Sequence, residues 1–419
     1  MRLMTKLRTS IIPIGGVGSR LYPLTVDTSK AMVRFLNRPL LEHIVTMLAL
    51  QGIRVIYMGV SGYHNYVQVY DYFGSGRAIA HRLGYGRDEF RIRYMPNIIS
   101  RGNAEAVYSI IKYYKIDEPV LITQCDNIFD GLDLEDLGKS FEENKCDMTI
   151  VLYELENIEE VRRFGVAELR DDGTIARFVE KPKRVEEAPS RLINTGIYVI
   201  DSRMLVEFLE EGRGRRLYEN GLLDFGRHVI PALIEDGYRV CGYVMKGAWF
   251  DIGTHESYMR AIRYFLRHGS PEILGVDFVY GDILMLGRSE LSREAQKRFI
   301  DQAKKGRIRV KGPILVGRHT AIGENVLIAE SVIDNYVVVS DDVVIENSVI
   351  MDRGYIGKGV RIRNSVIGRH VRIDDGAVIE NSVIGNNVFV GRNARVIDSK
   401  IWPGKYVPSN VTFTGLTIV

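Results

Sequence analysis

The sequence predicts two joined architectures: an α/β domain with a mostly parallel sheet, followed by a coil of short parallel strands. Two observations carry this. Between residues 11 and 262, short apolar strands alternate with amphipathic helical segments, the pattern of a sheet with helices on both faces. From about residue 313, aliphatic residues recur at steps of six, six and five, so that Val316, Ile333, Ile350, Ile367, Ile384 and Ile401 repeat every 17 residues. Neither a helix of period 3.6 nor a simple hairpin gives that spacing. A three-sided coil, with one aliphatic residue turned inward on each side, does.

Ile11–Ile14 is the first strand. Pro39 stands where a helix can begin, and Leu40, Leu41, Ile44, Val45 and Leu48 share one helical face. Gly52 suits the stop after that helix. Val55–Val60 and Val120–Thr123 are further strands, the latter running into Cys125-Asp126-Asn127. Ligands of open α/β sheets lie beyond the carboxyl ends of the strands, where both the Gly15 turn and Asp126 fall. Residues 269–311 read as a connector, with Ser292–Lys305 helical and Gly306 ending it. In the coil, Ser331, Ser348, Ser365, Ser382 and Ser399 hold one register, and Asn347, Asn364 and Asn381 another. Stacking buries each aliphatic rung for about 1.5–3 kcal/mol, and the Ser and Asn rungs can hydrogen-bond from coil to coil. Flat coil faces invite assembly.

The 419 residues suit two domains, or three. A composition of 46% hydrophobic and 26% charged residues is that of a globular protein, and a net charge of +3 argues against a dedicated nucleic-acid binder. No run reaches 18 uninterrupted apolar residues, so no membrane span is expected. Met1–Ser10 is basic and lacks the apolar run of a signal peptide. Cys125, Cys146 and Cys241 lie far apart, an odd count without metal-ligand spacing, from which we expect a reducing compartment, the cytoplasm, and no disulfide framework.

Gly15-Gly16-Val17-Gly18-Ser19-Arg20, followed by Lys30, is the most informative stretch. Its glycines let the backbone approach a ligand, and its N–H groups can face phosphate oxygens. Arg20 adds a planar fork and Lys30 a point charge. The Walker pattern is absent, since Ser19-Arg20 follows Gly18, and Leu21 replaces the third glycine of the dinucleotide fingerprint.

Seven motifs in order then resemble the sugar-1-phosphate nucleotidylyltransferases, or NDP-sugar pyrophosphorylases. They are Gly15–Thr25 with Lys30, Asn37-Arg38-Pro39-Leu40, Gly102-Asn103-Ala104, Asp126-Asn127, Phe164-Gly165-Val166 with Glu180-Lys181-Pro182, Asn194-Thr195-Gly196, and Trp249-Phe250-Asp251. The six-residue units of the coil are similar to the hexapeptide repeats of left-handed parallel β-helices. The resemblance implies a Rossmann-like nucleotidyltransferase domain over 1–268, a left-handed β-helix over 312–412 and a tail over 413–419. It implies transfer of a nucleotidyl group from a nucleoside triphosphate to glucose or mannose 1-phosphate, with pyrophosphate leaving. Catalysis of such in-line displacement is positioning and charge neutralisation.

By the same resemblance, Asp126 and Asp251 hold Mg2+, a hard cation suited to carboxylate and phosphate oxygens. Arg20 and Lys30 steady the triphosphate, and Lys181 holds the sugar 1-phosphate. Gly15, Gly16, Gly18, Ser19, Asn97 and Gly102 line the nucleotide, while Gly165, Glu180 and Asn194 meet the sugar. Departures stand out: Cys125 replaces the glycine before the metal Asp, Asn97 and Asn103 replace Gln and Thr, and residues 74–88 form a long basic segment. Phe35–Leu41 and Lys400-Ile401-Trp402-Pro403 look like the mannose-1-phosphate guanylyltransferases, Ser29-Lys30 and Asp126–Phe129 like the glucose-1-phosphate thymidylyltransferases. Two other readings stay open: a catalytically silent regulatory subunit that binds an NDP-sugar, and an added acyltransferase activity in the rod, for which His319 and His370 are the candidates. A homo-oligomer built through the β-helix is expected.

Overall fold

The computed structural model describes residues 7–86, 88–97 and 101–419, without the side chain of Asn97. It divides into two compact units that do not follow chain order: Met1–Gly16 with Ile44–Asp251, and Val17–His43 with Ile252–Val419.

The first unit is built on a mixed sheet. Thr9–Ile14, buried along its length, lies parallel to Val55–Ser61 and to Val120–Ile122, and Val55–Ser61 is parallel to Arg91–Asn97. Strands covered on both faces need no polar alternation, hence the apolar runs. The remainder is largely antiparallel about Leu192–Ile200, which pairs with Val120–Ile122, Met148–Glu154 and Gly165–Leu169. The reason lies in connection length: Gly165–Leu169 and Ile175–Glu180 are joined by the turn Arg170–Thr174, too short for a parallel crossover, which takes a dozen or so residues. The helix Asn103–Tyr114 buries Ala104, Val107, Ile110 and Ile111 in the core. It packs closely where a Cβ on Gly59 would come within 3.0 Å of the Ala106 Cβ.

One expectation is corrected here. Cys146 and Cys241 form a buried disulfide across 95 residues. Parallel pairing of Val240–Val244 with Met148–Glu154 sets Cys241 opposite Thr149, three residues from Cys146. That proximity arises only in the folded sheet, so spacing along the chain could not reveal it. Cys125 is buried and outside the disulfide.

In the second unit Thr254 caps the helix His255–His268 in a capping box with Ser257. Beyond it stand three sheets of short strands, and from Ile314 on each strand pairs in parallel with the one 17 residues on, as Val332 with Val349 and Ile345 with Ile362. The aliphatic rungs fill the interior. The serine rungs are buried and doubly used: Ser348 Oγ donates to the Glu346 carbonyl at 2.7 Å and accepts from the Ser365 N–H at 3.1 Å. Asn347, Asn364 and Asn381 donate in sequence along the coil at 2.7, 3.1 and 3.0 Å, the last to Asp398. Their φ values, 45°, 47° and 48°, are left-handed, a conformation Asn tolerates well. Pairing extends beyond residues 312–412 at both ends: Ile283–Met285 joins Ile314–Val316, and Thr417–Ile418 joins Lys400–Ile401. The connector helix runs Glu290–Lys304, with Gly306 at φ 73° after it.

Candidate functional site

In the first unit a cavity of about 190 Å3 opens at the carboxyl ends of the central strands. Its lining includes Gly15 and Gly16 after the first strand, Ser61 after the second, Asn103 at the start of its helix, and Gln124, Cys125 and Asp126. Gly15 and Gly16 are exposed, and a Cβ on Gly16 would meet no atom of the described residues within 4 Å. The backbone there is open to a ligand. Gly102 has a different reason to be glycine: at φ 141° its Cβ would lie 2.2 Å from the Leu223 carbonyl oxygen. Asn103 Oδ1 accepts from the Phe225 N–H at 2.9 Å, leaving its amide hydrogens for other partners. Asn97 ends the strand paired with Val55–Ser61, opposite Ser61, and its side chain lies outside the described residues.

The two metal candidates come together through a ladder. Asn127–Asp130 pairs antiparallel with Ala248–Asp251 so that Asp251 faces Asn127, the neighbour of Asp126. Asp251 also lies 3.9 Å from Arg163 Nη2. Among the described residues no group of three or more His, Cys, Asp or Glu forms a metal cluster. Two carboxylates without His or Cys form a hard oxygen set, which fits a cation that completes its shell with phosphate oxygens and water. Cys125, 5% exposed, is packed into the fold.

Glu180 and Lys181 stand at the end of Ile175–Glu180, where Glu180 pairs with Gly165. A Cβ on Gly165 would strike Phe178 Cζ at 2.5 Å and Glu180 Oε2 at 2.7 Å, and one on Gly226 would strike Glu180 Oε2 at 2.6 Å. Both glycines therefore make room for the Glu180 carboxylate. Burial pushes that carboxyl above its ordinary range, against the pull of Lys181, whose Nζ is 3.3 Å away. Lys181 adopts φ 48°, and its N–H donates to the Phe164 carbonyl. Asn194 opens a register shift in Leu192–Ile200. Its Oδ1 accepts from the Gly196 N–H at 2.9 Å, and its Nδ2 reaches the Tyr198 hydroxyl at 3.0 Å. Gly196 lets the shifted strand meet the turn that carries Asp126: a Cβ there would lie 2.9 Å from both Asn127 Nδ2 and Gln124 Cγ. Asn127 Nδ2 donates to the Thr195 carbonyl.

The remaining candidates belong to the second unit. Gly18, at φ 63°, leads into the turn Ser19–Leu21, and the Thr25 hydroxyl closes onto its carbonyl at 2.8 Å. Ser19 and Arg20 are exposed, and Lys30 is half-buried at the start of a short turn Lys30–Met32. His319 lines a separate cavity of about 360 Å3 with Arg298 and Gln302, and stacks on Tyr336.

Sequence reasoning missed two donors. Gln124 Nε2 and Trp249 Nε1 are buried without a hydrogen-bond partner among the described residues. Each stands two residues before a candidate carboxylate, Asp126 or Asp251. Gln124 was legible as a polar residue ending an apolar strand, Trp249 only as part of its motif. Arg163, beside Asp251, carried no signal of its own.

A Gly-rich turn at a strand end, two aspartates brought near each other by a strand ladder and an acid–cation pair on a hairpin mark out a ligand cavity in an α/β domain, in a chain that also builds a β-helix. A nucleotidyl transferase family model matches residues 9–268, and a GMPPB C-terminal domain model matches residues 310–417. The chain belongs to the nucleotidyl transferase family. It is similar to a glucose-1-phosphate adenylyltransferase of Trichlorobacter lovleyi, 30% identical over 290 residues, which are 63% of this chain and 67% of the relative. It is also similar to a mannose-1-phosphate guanylyltransferase of Mycobacterium tuberculosis, 27% identical over 62% of this chain and 66% of that protein. A crystal structure from Bacillus anthracis, assigned as a glucose-1-phosphate thymidylyltransferase in complex with a sucrose, superposes with a TM-score of 0.51 at 26% identity, over 66% of this chain and 97% of that one. Among the described residues no helix is long and apolar enough to cross a membrane.

Proposed function

We propose that this chain transfers a nucleotidyl group from a nucleoside triphosphate to glucose or mannose 1-phosphate, releasing pyrophosphate and forming a nucleotide sugar. The observation that carries the reading is the ladder register that sets Asp251 opposite Asn127, and so beside Asp126, in a member of the nucleotidyl transferase family. In the reaction an oxygen of the sugar phosphate forms a bond to the α-phosphorus as the bond to the β-phosphate oxygen breaks. The phosphate dianion is itself the nucleophile, so no protein base is needed.

Asp126 and Asp251 are the residues to hold Mg2+, which when bound supplies charge neutralisation at phosphate oxygens. Arg20 and Lys30 bind the triphosphate and the departing pyrophosphate, with the Gly15–Ser19 backbone alongside. Lys181 binds the sugar phosphate and offsets the repulsion between two anions. Its left-handed backbone supports the role, because strained non-glycine residues persist where function holds them. Glu180, fixed between two glycines, and Asn194 orient the sugar hydroxyls. Gln124 lines the cavity and its amide nitrogen is buried without a partner among the described residues, which supports a role as donor to a substrate oxygen. Asn97 and Gly102 flank the nucleotide.

We assign catalysis to residues 1–268 and assembly into a homo-oligomer to the β-helix. The reaction belongs in the cytoplasm, because neither charged substrate crosses a bilayer unaided, and the buried Cys146–Cys241 pair is shielded there from exchange. The test is pyrophosphate release with Mg2+, each of ATP, GTP, UTP, CTP and dTTP, and glucose or mannose 1-phosphate. Turnover with one pairing names both substrates. A folded protein that binds a nucleotide sugar but releases no pyrophosphate from any pairing overturns the reading.

A further inference from the structure

The β-helix carries buried polar side chains that its own stacking does not explain. Asp334, Asp352 and Asn386 are all at least nine-tenths buried. Asp352, Arg369 and Asn386 follow one another at the 17-residue step, along one corner of successive coils. Asp334 and Asn386 both reach partners in Val17–His43, the segment that carries Arg20 and Lys30 and belongs to the same compact unit.

Three contacts follow Arg20 closely and enclose Lys30 on both sides. Tyr22, two residues after Arg20, meets Trp402 edge to face at 5.3 Å between ring centroids. Asp27 and Thr28, just before Lys30, accept from Asn386 Nδ2 at 2.8 and 3.2 Å. Arg34, four residues after Lys30, pairs fork to fork with Asp334, Nε to Oδ2 and Nη2 to Oδ1, both at 2.7 Å. The Arg34–Asp334 pair is itself braced. Asp352 lies 3.8 Å from Arg34 Nε and is gripped by Arg369 at 2.6 and 3.1 Å. The Tyr258 hydroxyl donates to the Arg34 carbonyl at 2.6 Å. A bidentate guanidinium–carboxylate pair fixes direction as well as distance.

We propose that the β-helix holds the phosphate-binding segment in place, with Asp334 and Asn386 as positioning residues that act through Val17–His43 on affinity for the nucleoside triphosphate. The rod is then part of the triphosphate site, and Trp402 is one of its fixed points. The inference rests on the nucleotidyl transfer reading for the roles of Arg20 and Lys30.

Asn386→Asp tests it with little change of shape. The new carboxylate still accepts from the Arg369 N–H, as Asn386 Oδ1 does at 2.8 Å, but turns an acceptor toward Asp27. Asp27→Asn in that background restores a donor to the pair. On wild type, Asn386→Asp, Asp334→Asn and the Asp27→Asn/Asn386→Asp double variant, we would measure KM for both substrates, tripolyphosphate binding by calorimetry, and amide hydrogen exchange over residues 17–33. The expected result for Asn386→Asp is faster exchange in that segment and a rise of about fivefold in triphosphate KM and tripolyphosphate Kd, the effect of roughly 1 kcal/mol. Sugar-phosphate KM and Tm should stay near wild type, and the double variant should recover. Unchanged exchange, or faster exchange with triphosphate affinity intact, overturns the proposal, as does failure of the double variant to recover while remaining folded. Should the wild type turn nothing over, the exchange and tripolyphosphate measurements still decide it.

Discussion

Lys181→Gly separates the needs of the fold from those of the chemistry at one position. Lys181 sits at φ 48°, where a side chain costs about 1–2 kcal/mol. Glycine removes that cost, but gives back about 0.4–1 kcal/mol through the greater freedom of the unfolded chain. The 3.3 Å pair with Glu180 is lost as well. With the lysine half exposed, that pair contributes no more than about 0.2–1 kcal/mol. The balance leaves Lys181→Gly within about 1 kcal/mol of wild type, a Tm change of roughly 2–4 °C. Activity is expected to behave differently. A hydrogen bond to a charged group contributes about 1.5–3 kcal/mol, so kcat/KM for the sugar phosphate should fall on the order of 10- to 150-fold. The assay is steady-state pyrophosphate release against sugar phosphate concentration, with calorimetric Tm measured in parallel. Lys181→Asn, which keeps a side chain suited to this backbone, should match the glycine variant. A kcat/KM within threefold of wild type in both variants, or a loss of more than 8 °C in Tm, would refute the reasoning.

Asp126→Asn should keep its Tm and lose roughly 10²–10⁴ in turnover, about 3–5 kcal/mol of transition-state stabilisation; undiminished pyrophosphate release would exclude it as a metal ligand. Cys146→Ser opens a loop of 95 residues, worth about 4–5 kcal/mol on the chain-entropy model; urea midpoints with and without dithiothreitol should show the loss, and the variant should no longer respond to reductant. Burial, with Lys400 adding to it, lowers His255 to about 4 while its Nε2–H donates to the Leu21 carbonyl. The folded form therefore prefers the neutral ring: its contribution is complete above pH 6.5 and is lost as pH falls toward 4, roughly 3 kcal/mol in all, and His255→Gln should flatten that limb of the stability profile. Gln124→Leu should raise Tm, since an unpartnered buried donor costs about 1–3 kcal/mol, and should lower kcat/KM at least tenfold.

The coil was legible because each rung has one job. Aliphatic residues fill the interior, serines bond both ways, and asparagines take the left-handed corners, so the 17-residue period is written in residue types. The Gly-rich turn was legible as a turn at a strand's carboxyl end, where Gly15 and Gly16 line a cavity. Gly102 shows the limit of that reasoning, because its lack of a side chain answers the Leu223 backbone. The antiparallel half of the sheet was hidden because the apolar runs of its strands look alike in either direction. The disulfide was hidden because it joins residues 95 apart. The partnership of Val17–His43 with the coil was hidden further still: Arg34 and Asp334 are 300 positions apart, and each alone reads as an ordinary surface charge.

What the sequence could not express at all is the state of Gln124 and Trp249. A buried N–H group without an acceptor is rare in folded proteins, since each such group forfeits a hydrogen bond it had in water. Two of them here share one relation to the chemistry, each two residues before a carboxylate on the paired segments that converge at Asn127 and Asp251. Side chains two apart on a strand share a face, so Trp249 turns the same way as Asp251, and Gln124 lines the cavity that Asp126 lines. Packing alone favours an apolar side chain at both places, since Leu or Phe fills such space with nothing left unpaired. Both are donors, and the acceptors we propose for them are the phosphate and hydroxyl oxygens that arrive with the substrate.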